Sequence, residues 1–259
     1  MHYTRMVPVL TLSLLLAMLC LLEVGRRLGR RWRAKAAAEA VAGGGAIKGA
    51  IFALLGLLMA FTLSGAAVRF DTRRQLIVEE ANAIGTAYLR LDLLPTDAQP
   101  RLRERFRQYL MTRLDMYRKY LDSAATREAL ARSVILQGEI WTQAVAGSRL
   151  QDAHPDTAKL LLPALNAMID ITTTRSMARQ THTPMIIFAM LGGLALASAL
   201  LAGHGMAGGT RGSWLHMGGF AVIMAAAVYV ILDLEFPRQG FITVEAFDQV
   251  LVELLKSMK

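Results

Sequence analysis

Cysteine, aromatic residues and histidine are all scarce in this chain, and each scarcity removes a class of explanation. The one cysteine, Cys20, stands inside an apolar run. There is accordingly no disulfide framework, no C-x-x-C pair and no thiolate metal cluster. The residues before it, Ala17-Met18-Leu19, end in a bulky side chain, which argues against a lipoprotein cleavage site. Aromatic residues make up 7% of the 259 positions, so the basic residues lack the aromatic interleaving of a nucleic-acid surface, and no nucleic-acid partner is expected. His2, His154, His182, His204 and His216 show no H-x-x-x-H or comparable spacing, so no metal is expected. A P-loop, a G-x-S-x-G elbow and a Cys/His pair are missing too. The chain is therefore read as carrying no cofactor and as not being an enzyme.

Hydrophobic residues are abundant. They reach 54%, yet 29 Lys+Arg face 20 Asp+Glu for a formal charge of +9. Membrane spans joined to a charged extramembrane part fit that mixture. Because the basic residues gather beside apolar runs, the lipid bilayer with its anionic headgroups is the expected partner. The runs 6–24, 49–68, 184–202 and 214–232 each approach the length that a bilayer core demands. The first is followed by Glu23-Val24-Gly25-Arg26-Arg27 without a small-x-small site and reads as an uncleaved signal anchor. Residues 1–68 thus predict one transmembrane hairpin, 184–232 a second, and four spans put both termini on one side. The short loop between the first two spans carries Arg26, Arg27, Arg30, Arg31, Arg33, Lys35 and Lys48 against Glu39, which the positive-inside rule places in the cytoplasm. The opposite side is basic as well, with Arg69, Arg73, Arg74, Arg175 and Arg179.

The segment 69–183 reads as an extramembrane helical bundle. No proline interrupts the chain from Gly49 to Pro95, and Phe70, Ile77, Ala81, Ile84, Tyr88 and Leu91 recur at helical spacing. The second span therefore continues as one helix of about 45 residues until Leu94-Pro95. A following helix, capped by Thr96 or Asp97 and reaching about Leu121, shows Leu102, Phe106, Tyr109/Leu110, Leu114 and Tyr117 on one stripe. A third carries Leu130, Val134, Trp141 and Val145, and a fourth Leu161, Leu165, Met168 and Ile171. Residues 233–259 form an amphipathic tail, with Val244, Phe247, Leu251 and Leu254 on its apolar face and Asp248 opposite. The fold class is all-α throughout, since no period-two alternation persists.

Candidate site residues concentrate where the second span ends. Glu79 and Glu80 have no basic residue three or four positions away. One or both are therefore solvated or pair with an arginine of another helix such as Arg175 or Arg179, or else they line an ion path or bind a cation. Arg69, Arg73 and Arg74 have Asp233 and Glu235 as interface salt-bridge candidates, because the second and fourth spans exit on the same side. The alternative is an anion-attracting vestibule. Gly56, Ala60 and Ser64 make one small-residue stripe and Ala189, Gly193 and Ala197 another. Such stripes serve packing within a protomer or between protomers. No ionisable residue stands at a span centre, which speaks against a proton-coupled carrier.

Three stretches carry a resemblance: "AFTLSGAAVRFDTRRQLIVEEANAIGTAYLRLDLLP" (60–95), "RERFRQYLMTRLDMYRKY" (103–120) and "VYVILDLEFPRQGFITVEAFDQVL" (228–251). The chain resembles the bacterial membrane proteins that contain a bestrophin-like domain. That likeness implies a multi-pass protein of the bacterial inner membrane, a homo-oligomer and an ion channel, because bestrophins proper are pentameric anion channels with a long helical region between spans two and three. It implies a pore along the second span with a neck of large apolar side chains four residues apart. The register Phe61 to Gly65 breaks that pattern, and Met59 and Leu63, with Leu55, offer an apolar constriction instead. The acidic calcium clasp of animal bestrophins has no evident counterpart. The likeness also implies a cytosolic long region, opposite to the charge-based orientation. A non-conducting membrane sensor or scaffold is the rival expectation.

Overall fold

The computed structural model describes residues 6–33, 44–118, 123–208, 213–237 and 241–258. Part of the basic loop between the first two spans, 34–43, and part of the Gly-rich turn, 209–212, lie outside the described residues. The helices are α1 (Met6–Arg33), α2 (Gly44–Leu89), α3 (Gln99–Arg118), α4 (Ser123–Ser148), α5 (Thr157–Gln180), α6 (Met185–Gly205), α7 (Ser213–Glu235) and α8 (Glu245–Ser257), with a 3-10 turn at Arg90–Leu93. No strand occurs among the described residues. Four of these helical stretches are long and apolar enough to cross a membrane. The chain divides into two compact units, Met1–Phe70 with His182–Ile242, and Asp71–Thr181 with Thr243–Lys259.

In the first unit α1 runs along both α6 and α7. Its core joins Val7, Met18 and Leu22 of α1, Leu55 and Ala66 of α2, Leu191, Ala195 and Ala199 of α6, and Met217, Ala221 and Ile231 of α7. The α1–α6 seam is a close backbone approach. A Cβ on Gly25 would stand 2.1 Å from the Leu200 carbonyl oxygen, and one on Gly203 would stand 2.0 Å from that of Leu22. Only glycine permits such contact, and small residues at a helix seam are how apolar helices associate where lipid removes the hydrophobic drive. The stripes Gly56/Ala60/Ser64 and Ala189/Gly193/Ala197 do not form this seam. All six residues are exposed. On α6 the covered face is instead Leu191, Ala195, Ser198, Ala199 and Gly203.

In the second unit α2 stays helical to Leu89 and tightens into the 3-10 turn. Leu94 is then extended at φ −81°, ψ 155°, as the residue before Pro95 should be. α3 starts at Gln99, later than a cap at Thr96 or Asp97 would allow, because Pro95 to Ala98 close a turn of their own through Ala98 N–H to the Pro95 carbonyl at 2.9 Å. The described part of α3 ends at Arg118, and 119–122 lie outside the described residues. Its stripe buries Leu102, Phe106, Tyr109, Leu110, Leu114 and Tyr117. α4 presents a different face from the one its apolar residues predict. Leu130 and Val134 are exposed at 44% and 58%, whereas Ser133, Leu136, Gln137, Ile140 and Ala144 are buried. The reason lies on α3, where the buried Tyr109 hydroxyl needs a partner and Gln137 Nε2 donates to it at 3.1 Å. α8 belongs to this unit and lays Leu251 and Met258 into it. Asp248, expected on the solvent side, faces Arg175.

Candidate functional site

Two polar clusters gather the residues to which the sequence draws attention, one in each unit. In the first unit Arg69 of α2 meets Glu235 at the end of α7. Arg69 Nη2 donates to Glu235 Oε2 at 2.7 Å and Nε to the same oxygen at 3.1 Å. The link between α5 and α6 closes the cluster: Thr183 N–H donates to Oε1 at 2.9 Å, its hydroxyl to Oε2 at 3.1 Å, and His182 Nδ1 stands 3.2 Å from Oε1. Arg69 also donates to the Thr183 hydroxyl. The His182 ring stacks on Phe236 at 5.0 Å. Glu235 is fully buried, and this set of donors supplies what burial of a carboxylate demands. Asp233 is placed otherwise. Its Oδ2 accepts the backbone N–H groups of Phe241 and Ile242 at 3.1 and 3.0 Å, and its buried Oδ1 has no hydrogen-bond partner among the described residues.

In the second unit Glu80 is at the centre. It is 0% exposed, and Arg113 and Arg175 are 2% and 9% exposed. Arg113 Nε donates to Oε1 at 2.6 Å, Tyr117 Oη donates to Oε2 at 2.8 Å, and Arg175 Nη1 reaches the same Oε2. The Arg175 guanidinium lies over the Tyr117 ring at 3.8 Å and reaches Asp248 of α8 at 3.4 Å. Two carboxylates, the enclosed Glu80 and the half-buried Asp248, thus face two buried guanidiniums. Burial and the neighbouring Glu80 charge both push the Tyr117 phenol far above its ordinary range. Burial likewise pushes Tyr109 up to about 12. Arg113 is held more firmly protonated than usual, by the adjoining phenols and Glu80 against the pull of burial.

Adjacent positions therefore differ sharply. Glu79 is exposed while Glu80 is the most enclosed acid of the unit. Arg175 was nameable as its partner from the sequence, but Arg113 was missed. The available signal was its position within the buried α3 stripe, four residues from both Tyr109 and Tyr117. Arg73 and Arg74 do different work. Arg73 is buried and donates to the carbonyls of Ala178 and Thr181 at 3.2 and 2.9 Å, which satisfies the end of α5 where backbone carbonyls lack helical partners. Arg74 pairs with Asp71 at 3.1 Å and lies over the Phe247 ring at 4.2 Å. Of the apolar pore candidates, Leu55 is in the core, Met59 packs against it, and Leu63 is 41% exposed. No group of three or more His, Cys, Asp or Glu able to hold a metal occurs among the described residues.

A family model for the Bestrophin-like domain matches residues 11–246. The structure is similar to that of a single-substitution variant of a bacterial bestrophin homolog from Klebsiella pneumoniae, with a TM-score of 0.69 at 17% identity, covering 96% of this chain and 97% of that one. No curated protein matches the chain.

Proposed function

Since the chain belongs to the Bestrophin-like family, we propose that it is an oligomeric ion channel of the bacterial inner membrane, with the first unit in the bilayer, the second outside it, and α2 along the pore. The observation that carries this reading is the uncovered side of α2. Leu55, Thr62 and Ala66 are buried, but Ala53, Gly56, Leu57, Ala60, Phe61, Leu63 and Ser64 are exposed over more than two helical turns. A helix so apolar, with half its circumference free, has surface for neighbouring copies and for a lumen that one chain does not enclose. Small side chains on that side let copies approach closely. Exposed Glu79 follows beyond the membrane exit as a residue at the mouth, whereas Glu80 and Arg73 hold the bundle together and Arg69 ties α2 to α7.

Conduction is tested in liposomes. Purified protein of known oligomeric state is reconstituted, and chloride, sodium and potassium flux are followed. Flux of at least one ion is expected, and a stable oligomer that passes none sinks the channel. The non-conducting scaffold is favoured by one observation, the complete engagement of Glu80, which leaves that carboxylate no open coordination for a passing ion. A scaffold would give an oligomer or a monomer with no flux and an unaltered response to Glu79→Lys.

A further inference from the structure

We propose that the basic end of α1 is a docking surface for anionic phospholipid headgroups. The inference rests on the membrane placement given above and goes beyond it by naming the lipid. α1 has 28 residues, about 42 Å at roughly 1.5 Å per residue, against a hydrocarbon core of about 30 Å. The surplus is about eight residues by that rise. The sequence puts it at the C-terminal end, where the apolar run stops at Val24 and Arg26, Arg27, Arg30 and Arg31 follow.

This end is seated firmly, so its charges are held at one depth. A Cβ on Gly29 would lie 2.6 Å from that of Ala207, and Arg30 Nε approaches the Ala207 carbonyl at 3.4 Å. Arg26 is committed to the protein: it pairs with Glu23 at 2.7 Å and lies over the Trp214 ring at 5.1 Å. Glu23 also takes Arg27 at 2.8 Å. The acid of this turn is thereby neutralised, and exposed Arg27, Arg30 and Arg31 leave the surface cationic. Trp32 is 69% exposed and Trp214 50%, and indoles of that kind settle at headgroup level.

Guanidinium forks match phosphodiester oxygens. A zwitterionic headgroup would bring its own cation against these arginines, so the geometry selects a headgroup of net negative charge.

The test uses the full-length protein in a neutral detergent, titrated with phosphatidylglycerol or phosphatidylcholine and read by native mass spectrometry. Phosphatidylglycerol is expected to bind at least about tenfold tighter, and the variant R27Q/R30Q/R31Q to weaken it by about fivefold per arginine. R31Q alone, at an exposed position, keeps the question open to refutation if the triple variant does not fold, and its expected loss is about fivefold. Equal binding of the two lipids, or an undiminished preference in R31Q and the triple variant, overturns the proposal. Displacement of the lipid by millimolar inorganic phosphate would reveal a simple anion site and also overturns it. Binding of neither lipid would instead remove the membrane placement beneath it.

Discussion

The two units hold together by opposite means. The first relies on nearness: Gly25 and Gly203 bring backbone against backbone, and its buried carboxylate Glu235 stands at the end of α7 rather than in the middle of a span. The second relies on bulk and on buried charge, with Phe106, Tyr109, Ile84 and Leu91 filling it around the Glu80 cluster. The contrast follows from solvent on the reading proposed here. In lipid, apolar side chains gain nothing by leaving their surroundings, so close fit and dispersion decide. In water, large side chains are driven inward, and a carboxylate carried in with them must bring donors.

The contrast can be broken from either side. The largest effect is expected from Glu80→Ala, which removes the carboxylate partner of buried Arg113 and leaves Arg175 only Asp248; a loss of about 3–5 kcal/mol should appear in chemical denaturation of the full-length protein. A loss below about 1 kcal/mol would mean that water reaches the cluster and that the second unit is not held by it. Gly203→Ala attacks the other principle. It should cost about 1–3 kcal/mol by overpacking, read as a lowered melting temperature. Gly193→Ala, with nothing within 4 Å of the new Cβ, is expected to leave the isolated chain unmoved, and equal effects at the two glycines would refute the tight seam.

A smaller effect is expected in alkali. The Tyr109 phenol is pushed by burial from 10.0 to about 12. A raised folded-state value means that its contribution is complete below pH 10 or so and is lost as pH climbs toward 12. The denaturation midpoint should therefore stay flat up to about pH 10 and then fall, and Tyr109→Phe should lessen that fall, with Tyr117, raised further still, carrying the remainder. The smallest stability effect belongs to Glu79→Lys, within about 0.5 kcal/mol as for an ordinary surface change. Its readout is ionic: the ratio of anion to cation flux should rise if Glu79 stands at a pore mouth, and an unchanged ratio would remove it from the path.

The long-range course of the chain was readable where one local rule dominated. Absence of proline between Gly49 and Pro95 predicts the length of α2, and the apolar stripe from Leu102 to Tyr117 predicts which side of α3 is covered. Reading failed where the partner decides. α4 carries apolar residues on two sides, so Leu130 and Val134 suggested a face that the burial of Ser133 and of Gln137, which meets the Tyr109 hydroxyl, overrules. Asp248 misled for the same reason, being polar yet turned inward to Arg175. Glu79 and Glu80 look alike in sequence because what separates them arrives from far along the chain, from Arg113 and Arg175. The small-residue stripes on α2 and α6 left open whether they pack within the chain or between chains; their exposure takes them out of the α1–α6 seam, which is built from glycines elsewhere.

The α1–α6 seam also sets an order of events during synthesis. α1 emerges first, but the helix that fits its glycines begins only at Met185. At roughly 5–20 residues per second, the ribosome needs on the order of 10–30 s to deliver it. On the membrane placement proposed here, α1 waits through that interval without the neighbour it fits most closely, with Glu23 already sheltered by Arg26 and Arg27 on its own helix. The local ion pairs thus let a half-made protein keep an acid at the membrane edge until its permanent surroundings arrive.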